Sequence, residues 1–257
     1  MVKTIKSSVL FVSVALGAMF SLGSCQPEEK NPPVVTDNTN GITLKFVGYI
    51  GQKDISGISG VGLYPKSEGE RFAVSNWAMI MSHVALIKTN GDTVQLGDGY
   101  QYVNYLDATK NFRTVRNIPE GDYKGITFLL GLDPAVNHDD PAKWPANHPL
   151  NGFTTGLHWG WSSGYIFHAI DGNFIKDSIS SSLQGFSFHT ATDRYPQKVT
   201  LNYNFTIGKA VKTATIESNA EDIFMKPNLI KLANLSVSHS EGTAEIALMD
   251  KIVQNIV

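Results

Sequence analysis

The sequence predicts an all-β fold: a β-sandwich of mainly antiparallel strands with a long loop insertion and a short C-terminal helix. Three observations carry this. Period-two alternation recurs along the chain. It is cleanest at 199–207, where Val199, Leu201, Tyr203, Phe205 and Ile207 alternate with Thr200, Asn202, Asn204 and Thr206; such alternation marks a strand with one dry and one wet face. Helical spacing is confined to 219–224 and 243–257. Between the strand patterns there are no long crossover helices of the kind a parallel α/β sheet needs.

Taken in order, the chain opens with Lys3 and Lys6, an apolar run from Val9 to Leu22, and then Gly23-Ser24-Cys25. A basic start, an apolar core and small residues before a cut site form an export signal. The run is too short to span a bilayer comfortably. Cys25 is the only cysteine, and its position resembles a bacterial lipobox. Residues 1–24 are therefore expected to be a lipoprotein signal peptide, with Cys25 as the lipidation site. Several acyl chains there would tie the protein to a membrane, where one chain binds only marginally. The expected location is the cell envelope, as an outer-membrane lipoprotein on the periplasmic face or the cell surface. Residues 25–40 continue with Gln26-Pro27-Glu28-Glu29-Lys30-Asn31-Pro32-Pro33, which buries little and resists regular structure, so they read as a tether.

The remainder, 41–257, suits one large β domain. Without a further cysteine it must rest on its own core. Charged residues make up 17% of the chain. Removal of 1–24 takes away Lys3 and Lys6 and moves the formal charge from −2 to −4. A mildly acidic chain with no basic cluster argues against nucleic acid as a partner.

Ile42, Leu44 and Phe46 share one face of the first strand. Further strands are expected at 72–74, 78–88, 93–95, 123–130, 165–170, 185–189 and 214–218. Asn90-Gly91-Asp92 and Pro119-Glu120-Gly121-Asp122 supply turns between them. Asn219 or Ser218 can cap a short helix over 219–224. Ala244, Ala247, Leu248, Lys251, Ile252 and Ile256 give 243–257 a helical stripe. From Leu132 to Ser163 regular pattern is scarce, and a loop of that length inside a compact domain is usually functional.

That stretch holds His138, His148, His158, Trp144, Trp159 and Trp161. Neutral imidazole is a good ligand for copper, zinc, iron or nickel. His138 follows Asn137 in a polar turn. His158 precedes Trp159. His189 closes Phe186-Ser187-Phe188-His189 at a strand end, and His83 lies among apolar strand residues. These four are the candidate metal ligands. His148 reads as exposed. By strand parity His168 faces with Ile166 and Ile170, as a satisfied core histidine. His239, near a Ser-rich turn, reads as solvent-facing. Trp159, Trp161 and Tyr165 could wall an aromatic pocket. There is no Gly-x-Ser-x-Gly elbow, no nucleophilic cysteine in the domain and no phosphate loop, so a non-enzymatic role is expected.

Several segments together resemble the MbnP-like family of exported copper-binding proteins. They are Gly125–His138, the run Leu157-His158-Trp159-Gly160-Trp161-Ser162-Ser163-Gly164-Tyr165-Ile166-Phe167, Gly172, and Phe186-Ser187-Phe188-His189. Ile118-Pro119-Glu120-Gly121-Asp122-Tyr123 fits as well. The resemblance covers most of 41–257. It implies a β-sandwich and Cu(I) bound by histidines with a tryptophan oxidised to kynurenine. A di-haem peroxidase-like partner is implied as the agent of that oxidation. His138 and His189 match the family's histidines, and Trp159 and Trp161 its tryptophans. His83 stands where the family commonly has asparagine or aspartate. The expected function is a metal-binding lipoprotein, copper first. The alternative is a glycan- or ligand-binding envelope lipoprotein using the Trp159 platform without a metal.

Overall fold

A computed structural model describes residues 2–8 (backbone only), 40–58, 62–66, 69–160, 164–177, 179, 182–240 and 242–256. Cys25, most of the tether and Trp161 lie outside the described residues.

The all-β sandwich is borne out. One sheet contains β1 (Val2–Ser8), β14 (Val211–Asn219), β2 (Gly41–Ile50) and β3 (Lys53–Asp54) in that order, with β8 (Phe112–Arg116) also paired to β2. The other runs β13 (Gln197–Ile207), β9 (Gly121–Leu130), β5 (Arg71–Lys88), β11 (Gly164–Ile175), β12 (Gln184–Ala191) and β15 (Val237–Ser238). Four short strands extend it: β4 (Tyr64–Pro65), β6 (Thr93–Gln95) and β7 (Gln101–Asn104) on β5, and β10 (His158–Gly160) on β11. Pairing is antiparallel except for β14 with β2 and β12 with β15. The two patches read as 72–74 and 78–88 are one strand, β5, which pairs across most of the sheet.

The inter-sheet core follows the alternation. Ile42, Leu44 and Phe46 of β2 and Ala214 and Ile216 of β14 meet Trp77, Met79, Ile126, Phe128 and Ile170. The predicted helices form as α3 (Ala220–Met225), capped by the Asn219 side chain on Glu221 N–H, and α4 (Thr243–Ile256). Their residues Ile223, Phe224, Met249, Ile252 and Ile256 close the same core. β13 keeps its alternation, but Val199, Leu201 and Tyr203 are only half-buried because β13 is an edge strand.

The other face of the ten-stranded sheet is also covered. Ala78 and Ile80 of β5 point there with Phe167 and Ala169, under Leu132, Leu150, Leu157 and Tyr165. The stretch expected to lack regular structure therefore folds onto the sheet. It forms two helical turns, α1 (Pro134–Asn137) and α2 (Gly152–Thr155), a 3₁₀ turn over Pro141–Lys143, and β10. Where β11 bulges against β5, Gly172 is required: a Cβ there would lie 1.9 Å from the Ala73 carbonyl oxygen.

His168 is buried in the inter-sheet core, as parity suggests. The expected companion Ile166 packs in the outer cluster instead, because a register shift between Ile166 and His168 breaks the alternation. The ring accepts the Trp77 indole N–H at Nε2 (2.9 Å), so the neutral ring carries its proton on Nδ1, which is buried without a partner among the described residues. The expectation of a fully satisfied ring is therefore corrected. Burial pushes its pKa down to about 3 from an ordinary 6.5. The unfolded chain binds that proton more readily. Stability from this residue is complete above pH 6.5 and is lost as pH falls toward about 3, at up to about 1.4 kcal/mol per pH unit. Urea unfolding across that window should show a shallower pH slope in His168→Gln than in the parent. Equal slopes would contradict a neutral buried ring.

Candidate metal centre and the loop around it

The long loop is pinned by Asn137, whose side chain is fully buried. Its Oδ1 accepts the Tyr165 N–H (2.8 Å) and its Nδ2 donates to Asp193 Oδ1 (2.9 Å). His138 Nε2 meets the other oxygen of Asp193 at 3.0 Å, with both side chains more than 40% exposed. The Asp193 carboxyl is held below the usual carboxylate range. Burial opposes this, but the bonds from Asn137 and His138 outweigh it.

Tyr165 is a rivet rather than a pocket wall. It is buried and donates its hydroxyl to the Leu150 carbonyl (2.6 Å), and burial pushes its pKa up. His158 packs edge-on against that ring, centroids 4.6 Å apart, and accepts the Gly160 N–H at Nδ1. Burial lowers its pKa. His148, expected to be exposed, is mostly covered. It stacks on Trp144 (4.1 Å), accepts the Leu150 N–H at Nδ1, and pairs through Nε2 with Asp98 (3.0 Å). His83 occupies a left-handed position in β5 (φ 52°), and its Nε2 lies 2.6 Å from Asp133 Oδ2.

His189 differs from all of these. Asp171 of β11 lies directly across from Ser187 of β12 and from Asn76 of β5. The carboxylate therefore collects three side chains: Ser187 Oγ (2.6 Å) and His189 Nε2 (2.9 Å) on Oδ1, and Asn76 Nδ2 (2.8 Å) on Oδ2. Burial opposes ionisation of Asp171, but these bonds hold its pKa below the ordinary value. With Nε2–H given to the carboxylate, His189 keeps a lone pair on Nδ1, and that atom is buried with no partner among the described residues.

A second imidazole lies beside it. β15 runs parallel to β12, pairing Val237 with Ser187 and Ser238 with Phe188. The next residue, His239, stacks its ring 5.2 Å from that of His189. Ser240 Oγ ties this segment down, donating to the His189 carbonyl and accepting the Ala191 N–H. Trp159 of β10 leans over both rings, 5.8 Å from His189 and 5.5 Å from His239.

Of the four candidate ligands, His83, His138, His158 and His189 sit against four different partners: Asp133, Asp193, Tyr165 and Asp171. Among the described residues no group of three or more His, Cys, Asp or Glu side chains is placed to hold an ion. What the fold brings together is His189, His239 and Trp159. His239 is exposed, as expected, yet belongs to the cluster. Its only sequence signal is a histidine beside serines; the two-residue parallel strand that delivers it has no pattern to read.

Imidazole donors suit copper and zinc. A ligating histidine commonly donates its other N–H to a carboxylate, which fixes tautomer and orientation. His189 and Asp171 have that arrangement, and the buried free nitrogen fits a metal ion.

The loop's anchor is testable. Gly164 has φ 71°, and a Cβ there would lie 2.5 Å from Asn137 Oδ1. Gly164→Ala should destabilise the domain by at least about 1–3 kcal/mol through backbone strain alone. Urea unfolding checks this, and a neutral result would show that Asn137 does not pin the loop in this way.

Comparison with known proteins adds to this geometry. MbnP from Methylosinus trichosporium is a similar solved structure, with 14% identity and a TM-score of 0.46 over 79% of this chain and 81% of that one. None of the curated proteins searched matches the chain. The family model for MbnP matches residues 39–243, a span that runs from just before β2 to the start of α4 and includes Asp171, His189, His239 and Trp159, and by that match the chain belongs to the MbnP family.

Proposed function

We propose that this protein is an exported, lipid-anchored copper-binding protein whose Cu(I) ligands are His189 Nδ1 and His239, sheltered by Trp159. The carrying observation is the buried, unpartnered Nδ1 of a carboxylate-anchored histidine, with a second imidazole and an indole against it. Family membership supports copper over the other metals that imidazole accepts. A low-coordinate ion needs few ligands, which suits two rings. Bound copper would supply a soft cationic centre. The chain's own part is to fix one ring through Asp171, present the other at the surface, and cover both with an indole. The role is binding rather than catalysis. Trp159 lies within contact of both rings, where oxidation by a di-haem peroxidase-like partner would add a ligand group.

The lipid anchor rests on the lipobox-like Leu22-Gly23-Ser24-Cys25. Cleavage before Cys25 would remove Val2–Ser8 from its place along β14 and leave β14 paired with β2. The mature protein would then hang from the outer membrane by Cys25 and the tether.

Anaerobic titration of the mature chain with Cu(I), in competition with a chromophoric chelator, tests the ligand set. Binding should be saturable and lost in the His189→Ala, His239→Ala double variant. Asp171→Asn should weaken it by about 10–100-fold, and His83→Ala should leave it unchanged. Parent-like affinity in the double variant would falsify this assignment.

A further inference from the structure

A second cleft lies away from the histidine pair, where the two sheets and the long loop meet. It encloses about 390 Å³, within the range of small-ligand sites. Three elements build it. β8 of the five-stranded sheet supplies Phe112 and Arg113, the turn before β7 supplies Asp98, and the loop and α2 supply Asn147 and Thr154.

We infer that this cleft binds a carbohydrate. Phe112 is 48% exposed although it lines the cleft. A large apolar ring left open on a concave, otherwise polar surface suits the C–H face of a pyranose. The polar lining has the mixed character that sugar hydroxyls require. Asn147 offers both donor and acceptor. Thr154 donates its hydroxyl hydrogen to the Ala146 carbonyl, which leaves oxygen lone pairs to accept from a ligand.

The charges argue against the obvious rivals. Arg113 is already spent on Asp98 and on the Tyr100 carbonyl. Asp98 also holds the Tyr100 N–H and His148 Nε2. The pair is internally neutralised and held in place, so it offers a fixed polar edge; the other cation on the lining, Lys110, lies near enough to Asp107 to help hold that carboxyl below its ordinary pKa, so its charge is partly offset. A wholly apolar ligand would leave these groups desolvated without partners.

The test is isothermal titration of the full chain with cello-, xylo- and manno-oligosaccharides. Saturable binding to at least one series is expected. Phe112→Ala should weaken it by about tenfold, and Asn147→Ala should weaken it too. Both side chains are exposed, and a thermal melt checks that each variant folds. His189→Ala should bind sugar like the parent, which separates this site from the copper reading. Absence of saturable binding to all three series, or binding indifferent to both cleft variants, would overturn the inference.

Discussion

Burial of β5 on both faces is the constraint from which the rest of this structure follows. From Trp77 to Ser82 every residue is buried. Trp77 and Met79 face the inter-sheet core, and Ala78 and Ile80 face the opposite way. A central strand can do this only if something covers its outer side, and each apolar side chain removed from water is worth roughly 1.5–3 kcal/mol when large. The cover is the stretch from Leu132 to Leu157. Once it packs down, buried polar groups on both sides must be satisfied: Tyr165 donates its hydroxyl to the Leu150 carbonyl of the stretch, and Asn137 of the stretch accepts the Tyr165 N–H of β11. The loop is held down by the burial of Leu132, Leu150 and Leu157, and β10, which carries Trp159, follows directly from it.

Electrostatics then separates one histidine from the others. His83 with Asp133 and His138 with Asp193 are hydrogen-bonded pairs open to water, where solvent competes and a pair contributes little. Asp171 and His189 are much less exposed, at 25% and 17% of their side chains. A carboxylate that far from water needs compensation, and Ser187, His189 and Asn76 supply it. Those bonds fix the orientation of the imidazole and leave its remaining nitrogen buried without a partner among the described residues.

The fold was legible because its strands alternate. Residues 42–47, 199–207 and 214–218, the turns at Asn90-Gly91 and Pro119–Asp122, and both helices lie where the pattern puts them. The loop was less legible because its order comes from contacts across the sheet. Asn137 to Asp193 and Tyr165 to Leu150 leave no periodicity in the chain. The site was half-legible. His189 at a strand end and Trp159 stood out as residue types in suggestive places. The partner of His189 did not, because the grouping of histidines along the chain favoured the loop, whereas proximity is set by the parallel pairing of β15 with β12. Asp171 was invisible for the same reason: its role depends on cross-strand register with Ser187 and Asn76.

The two imidazoles of the proposed centre are built to different stiffness, and this bears on how an ion would enter. His189 stands on a strand inside a sheet, oriented by a shielded carboxylate, so its lone pair is fixed before any metal arrives. His239 sits at the end of a two-residue strand. Its successor Ser240 holds a left-handed conformation (φ 67°) and braces it through side-chain bonds to β12. The backbone of His239 is thus set while its ring remains exposed. A rigid inner ligand and an accessible outer one permit an ion to be taken from solvent or from another protein by the outer ring and settled on the inner ring. That order needs no opening of the sandwich. The partly exposed indole is compatible with that order, since a Trp159 sealed into the core would block the approach that the exposed imidazole would provide.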